Sequence, residues 1–146
     1  MDLEYQKAWI KDSFGRTELT HAILRHKTQR ALQLVKECPE VNERDRGGYS
    51  YLYFAAQSCE VEVVDALLKR GADPNIETLS KTTPLDAVLF ASQQYSIEQA
   101  YQIVELLLAA GADPDHQNQT GISIRRLSQS LAPGKISDYL CAYPDV

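Results

Sequence analysis

A chain of 146 residues with 44% apolar content can bury one continuous core, and it has no long polar tract of the kind that keeps a protein disordered. The formal charge is −5, with nine Lys/Arg against eight acids in residues 1–48 and six against twelve in residues 49–146. That balance disfavours nucleic acid, whose binding rests on cations neutralising phosphates; the acidic body either suits a basic protein partner or simply keeps the chain soluble.

Three further absences narrow the class. No apolar run approaches the ~18 residues of a membrane span. The start, Met1-Asp2-Leu3-Glu4-Tyr5, shows no basic region followed by an apolar stretch. Cys38, Cys59 and Cys141 are odd in number and lack C-x-x-C spacing, so each is expected as a small buried thiol in a cytoplasmic protein.

In chain order, residues 3–11 carry Leu3, Tyr5, Trp9 and Ile10 among charges and read as a short helix covering one end of a stack. Helices follow at about 18–26 and 28–37, the second with Thr28 as N-cap and Ala31, Leu32, Leu34 and Val35 as its apolar stripe. Next come 51–58 and 60–69, where Val61, Val64, Leu67 and Leu68 share a face and Gly71 ends the helix in the left-handed conformation. Helices at 84–93 and 96–109 start from Thr83-Pro84 and from Ser96 with Gln99. A more polar helix at 123–131, a Pro133-Gly134 break and a last helix to about Cys141 complete the order.

The order repeats. The apolar helix running into Gly71-Ala72-Asp73-Pro74-Asn75 returns forty residues later, ending in Gly111-Ala112-Asp113-Pro114-Asp115, and a worn copy, Leu34–Asn42, lies thirty-three residues upstream. Thr17-Glu18-Leu19, Ser50-Tyr51-Leu52 and Thr83-Pro84-Leu85 are also spaced by thirty-three. Before each A helix sits a turn: Asp12-Ser13-Phe14-Gly15, Asp45-Arg46-Gly47-Gly48, Thr78-Leu79-Ser80-Lys81 and Asn118-Gln119-Thr120-Gly121. Such a period means helical hairpins that bury their apolar faces only against neighbours.

This pattern, Asp-x-x-Gly, then Thr-Pro-Leu, then an apolar helix closing on Gly-Ala-Asp, resembles the ankyrin repeats over about residues 12–146. The resemblance implies an all-α ankyrin-repeat solenoid of stacked helix-turn-helix units with short hairpin-like turns. The whole chain, 1–146, is then one domain: a cap at 1–11 and repeats at about 12–44, 45–77, 78–117 and 118–146. The third carries a seven-residue insertion near 92–98, expected to lengthen one or both of its helices, either as a tolerated extension with no role or as a lip beside the binding face anchored by Tyr95. The chain departs from the family where Thr20, Tyr53 and Asp86 replace the His usual after Thr-Pro-Leu.

Nothing in the sequence points to catalysis, a cofactor or a metal. His21 and His26 are five apart, about 140° around a helix, and make no ligand pair. Gly134-Lys135 lacks the rest of a phosphate loop and reads as a turn. Arg125-Arg126 reads as a solvated end cap, and Glu60, Glu62 and Asp65 as an outer solvated face.

The family's binding residues come from the turn tips and the exposed side of the first helices. Carried over, the partner-binding set is Phe14, Arg16, Arg25, Arg44, Arg46, Tyr49, Gln57, Leu79, Phe90 and, on the inserted lip, Tyr95. Ser13, Leu24, Gly47, Ser58, Glu77, Ser80, Thr82, Gln117, Gln119 and Ile122 flank them. Exposed aromatics beside Arg are what interface hot spots favour, and the four Arg make the amino-terminal half suited to an acidic segment.

These features lead to a non-enzymatic protein-protein interaction module, a monomer when free, whose partner is another protein. The expected role is a small inhibitor that binds and neutralises one partner, a toxin or enzyme, in the manner of an immunity or antitoxin protein. The alternatives are an adaptor or scaffold recognising several partners, or a protein resembling the four-repeat kinase inhibitors.

Overall fold

A computed structural model of the chain describes residues 3–130 and 134–144. The described residues form α1 (Leu3–Ala8), α2 (Glu18–Leu24), α3 (Thr28–Glu37), α4 (Tyr51–Gln57), α5 (Val61–Lys69), α6 (Pro84–Gln94), α7 (Ile97–Ala109), α8 (Ile124–Gln129) and α9 (Lys135–Ala142). Among the described residues extended backbone pairs only in two isolated antiparallel bridges, Arg44 with Ser50 and Gln117 with Ser123, at the base of hairpin-like turns.

Hydrogen bonds that close the helix ends explain the boundaries. Ser50 Oγ accepts from the Tyr53 amide at 3.1 Å, Ser96 Oγ from Gln99 at 3.4 Å and Ser123 Oγ from Arg126 at 3.2 Å. At the start of α6 the Thr83 amide donates to Asp86 Oδ2 at 2.8 Å, and Pro84 takes the first helical position, where its missing N–H costs nothing. Gly71, at φ +88°, turns the chain out of α5 while its own amide and that of Ala72 cap Leu68 and Leu67. Thr28 differs from expectation: it is the first residue of α3, and Lys27 precedes the helix. Its hydroxyl is drawn sideways to Glu60 Oε2 at 2.8 Å, so it is not free to cap.

The helices pack as two rows. In one row α2 lies against α4 and α4 against α6; in the other α3, α5, α7 and α9 follow each other, and short turns join α2 to α3, α4 to α5, α6 to α7. The repeat spacing supplies the core: Leu19, Leu52 and Leu85 are buried in the first row, and Leu34, Leu67 and Leu107 in the second. Each such side chain contributes about 1.5–3 kcal/mol, and in a repeat stack that burial is shared with the neighbouring units.

Polar ties run between neighbours as well. Asn42 accepts the Asp73 amide at 2.7 Å, and Asn75 repeats the bond one unit on, accepting Asp113 at 2.8 Å and donating to the Gly111 carbonyl. Arg70 reaches from the end of α5 to the Cys38 carbonyl at 3.1 Å, satisfying the open end of α3.

The insertion lengthens both of its helices: α6 and α7 have 11 and 13 residues, where α4 and α5 have 7 and 9. The expected helix at 123–131 ends at Gln129, and the break at Pro133 lies outside the described residues. Two side chains differ from expectation. Arg125 is nearly buried, not a solvated cap, because it donates to the Leu140 carbonyl at 2.8 Å and forks onto Asp115, joining α8 to the end of α9. Cys141 is exposed, whereas Cys38 and Cys59 are buried and their thiols are pushed up by burial.

Candidate partner-binding surface

Each turn is built on one side-chain oxygen. Asp12 Oδ1 accepts from the amides of Phe14 and Arg16 at 2.8 and 3.0 Å. Asp45 does the same for Gly47 and Tyr49, and Asn118 for Thr120 and Ile122. Thr78 replaces the acid in the third turn, its Oγ1 accepting from Ser80 and Thr82 at 3.2 and 3.3 Å. The Arg16 amide, followed by that of Phe14 and the His21 ring, holds the Asp12 carboxyl below its ordinary value.

The turn tips are joined edge to edge. The Arg46 amide donates to the Phe14 carbonyl at 2.9 Å, Leu79 to Gly47 at 3.3 Å and Gln119 to Ser80 at 3.0 Å. The fourth position of each turn needs a left-handed backbone, met by Gly15, Gly48 and Gly121 but by Lys81 (φ +59°) in the third. This ladder sets Phe14, Arg46 and Leu79 side by side from three successive turns, with Phe14 62% and Leu79 72% exposed. Phe90, half exposed on α6, occupies the register of Gln57 on α4 and Leu24 on α2.

The remaining members of the expected set divide. Arg25 and Arg46 are exposed. Arg16 is half-buried, bound to Asp45 at 3.1 Å and lying between the rings of Phe14 and Phe54 at 5.4 and 5.1 Å, so it braces Phe14 from behind. Arg44 donates to the Glu77 carbonyl at 2.9 Å, tying one turn to the next. Tyr49 is half-buried, packed edge-on to Tyr53 at 4.9 Å and tilted on Phe54, and Gln57 is half-buried. Ser58, a flanking residue, is buried.

Tyr95, 42% exposed, is engaged in a network that sequence reasoning missed. Its hydroxyl lies 3.1 Å from His26 Nε2, and His26 Nδ1 lies 2.9 Å from Glu60 Oε1. Glu60 is therefore buried among partners and is not part of a solvated outer face. Since both ring nitrogens are engaged, the imidazole is a tie and presents no free nitrogen to a substrate. The signal for it is weak in the sequence: His26 and Cys59 sit at matching places, thirty-three apart, where the turn between paired helices forces φ to +56° and +57°. No group of three or more His, Cys, Asp or Glu able to hold a metal occurs among the described residues. No helix among them is long and apolar enough to cross a membrane.

Comparison with known proteins agrees with this geometry. Residues 3–78 match the family model of ankyrin repeats in three copies, and residues 81–119 match a further ankyrin repeat. Human Rabankyrin-5 is 34% identical over 115 residues, 75% of this chain and 10% of its own length. Human BCL-6 corepressor-like protein 1 is 29% identical over 140 residues, 94% of this chain and 7% of its own. Ankyrin repeat, SAM and basic leucine zipper domain-containing protein 1 of Carollia perspicillata is 35% identical over 83 residues, 57% of this chain and 17% of its own. The chain thus spans less than a fifth of the length of each of these relatives.

Proposed function

The chain belongs to the ankyrin-repeat family, a family of protein-protein interaction modules, and from that premise we propose that it binds one partner protein and neutralises it by covering its working surface. The observation that carries this reading is the row of Phe14, Arg46 and Leu79 on linked turn tips, with Phe90 on the neighbouring helix row. Large apolar side chains held outward on a rigid ladder lose little freedom on binding, and Arg between them adds direction. An inhibitor of this kind needs no chemistry of its own, and immunity or antitoxin-like action is the form that best fits irregular repeats in which Thr20, Tyr53 and Asp86 replace the family His.

The test is affinity capture from the native organism with wild-type protein and with the Phe14→Ala/Arg46→Glu/Leu79→Ala variant. Tyr49 is left intact because it packs into the aromatic cluster. One stoichiometric partner lost with the variant supports the reading. A partner retained in full removes the tips from the site, and several weakly held partners favour an adaptor. The adaptor reading has one observation behind it: the relatives carry the matching segment as a small part of long chains.

A further inference from the structure

Between α1 and α2 runs an open cleft of about 440 Å³, lined among others by Lys7, Ile10, Lys11, Glu18, His21 and Arg25. Its acidic groups are already satisfied. Asp12 is engaged by two amides and by His21 Nε2 at 2.9 Å, and Glu18 Oε1 accepts from Arg30 Nε at 2.9 Å. Two of its cations are used as well, Lys11 by Glu43 and Arg16 by Asp45. That leaves Lys7 and Arg25, both exposed and without a side-chain partner among the described residues, beside Ile10, which is 67% exposed.

We propose that this cleft receives an acidic segment of the partner protein, with carboxylates on Lys7 and Arg25 and an aliphatic side chain over Ile10. This rests on the protein-binding reading above and adds a second foothold at the amino-terminal end of the tip ladder. Charge complementarity selects the occupant. Two unpaired cations around an apolar residue match a short acidic, apolar peptide, while the net charge of −5 opposes the extended polyanionic surface of a membrane or a nucleic acid.

The probe is a displayed library of random peptides selected on the full chain. Enriched peptides are then titrated against wild type, Lys7→Glu/Arg25→Glu and Phe14→Ala/Leu79→Ala. All four sites are exposed, and circular dichroism checks that each variant is folded. The expected result is a set of peptides rich in Asp, Glu and Leu or Ile whose affinity falls about tenfold or more in the charge-reversed variant and holds in the tip variant. Enrichment of neutral or basic peptides, no enrichment, or acidic peptides indifferent to Lys7→Glu/Arg25→Glu would overturn the proposal. So would release of bound phosphatidylserine vesicles by that variant, which would make the cleft a lipid site. Acidic peptides lost only in the tip variant would reject the cleft and leave the tip surface standing.

Discussion

The hydroxyl of Tyr95 lies 3.1 Å from Nε2 of His26, sixty-nine residues earlier, and their rings meet edge-on at 5.4 Å. The lip grown from the third helical pair is thereby fastened to the turn of the first, with Glu60 of the second holding the imidazole from its other side. One side-chain network thus spans three successive units.

Tyr95→Phe keeps the ring contact and deletes the hydroxyl. The expected cost is about 0.5–1.5 kcal/mol in urea unfolding. Amide exchange should quicken around residues 93–98 and stay unchanged in α5. Unchanged exchange in the lip would show that the bond does not restrain it.

Lys81 holds a left-handed backbone that three other turns assign to Gly. Lys81→Gly should raise stability by up to about 1 kcal/mol, the strain relieved less the entropy glycine adds to the unfolded chain. Gly48→Ala should lose roughly 1–3 kcal/mol, because φ is +83° and an added Cβ would stand 2.7 Å from the Leu79 amide nitrogen. Thermal melts of the two variants, shifting in opposite directions, check the pair.

Two carboxylates should give opposite pH signatures. Burial pushes Asp86 up, despite its bonds from Thr83, so it binds its proton more tightly folded than unfolded. Its contribution is greatest at low pH and shrinks as pH rises from the ordinary carboxylate range through the raised value. Asp12 is lowered, so its contribution is present above the ordinary value and is lost as pH falls through the lowered one. The deficit of Asp86→Asn relative to wild type should therefore shrink between pH 3 and pH 7, while that of Asp12→Asn grows. Urea titrations across that range decide it, and parallel curves would contradict both assignments.

Much of this architecture is legible in the sequence because its determinants are local and periodic. Leu19, Leu52 and Leu85 announce their burial by spacing alone, and the helix starts at Thr83-Pro84 and Ser96 follow from capping chemistry. Long-range pairings are not legible. Nothing local tells that Arg125 ends on the Leu140 carbonyl, that Glu60 is drawn inward by His26 and Thr28, or that Tyr49 turns onto Tyr53. The candidate surface falls between: exposure of Phe14, Leu79 and Phe90 follows from their register, but which Arg stays free depends on partners such as Asp45 and the Glu77 carbonyl.

The most direct measurement is a titration of the captured partner's own activity with this protein, run beside the Phe14→Ala/Arg46→Glu/Leu79→Ala variant. Neutralisation through the turn tips predicts a linear fall to near zero at one equivalent of wild type and little loss with the variant. Full activity in a saturated complex would contradict it and leave a binder that does not inhibit.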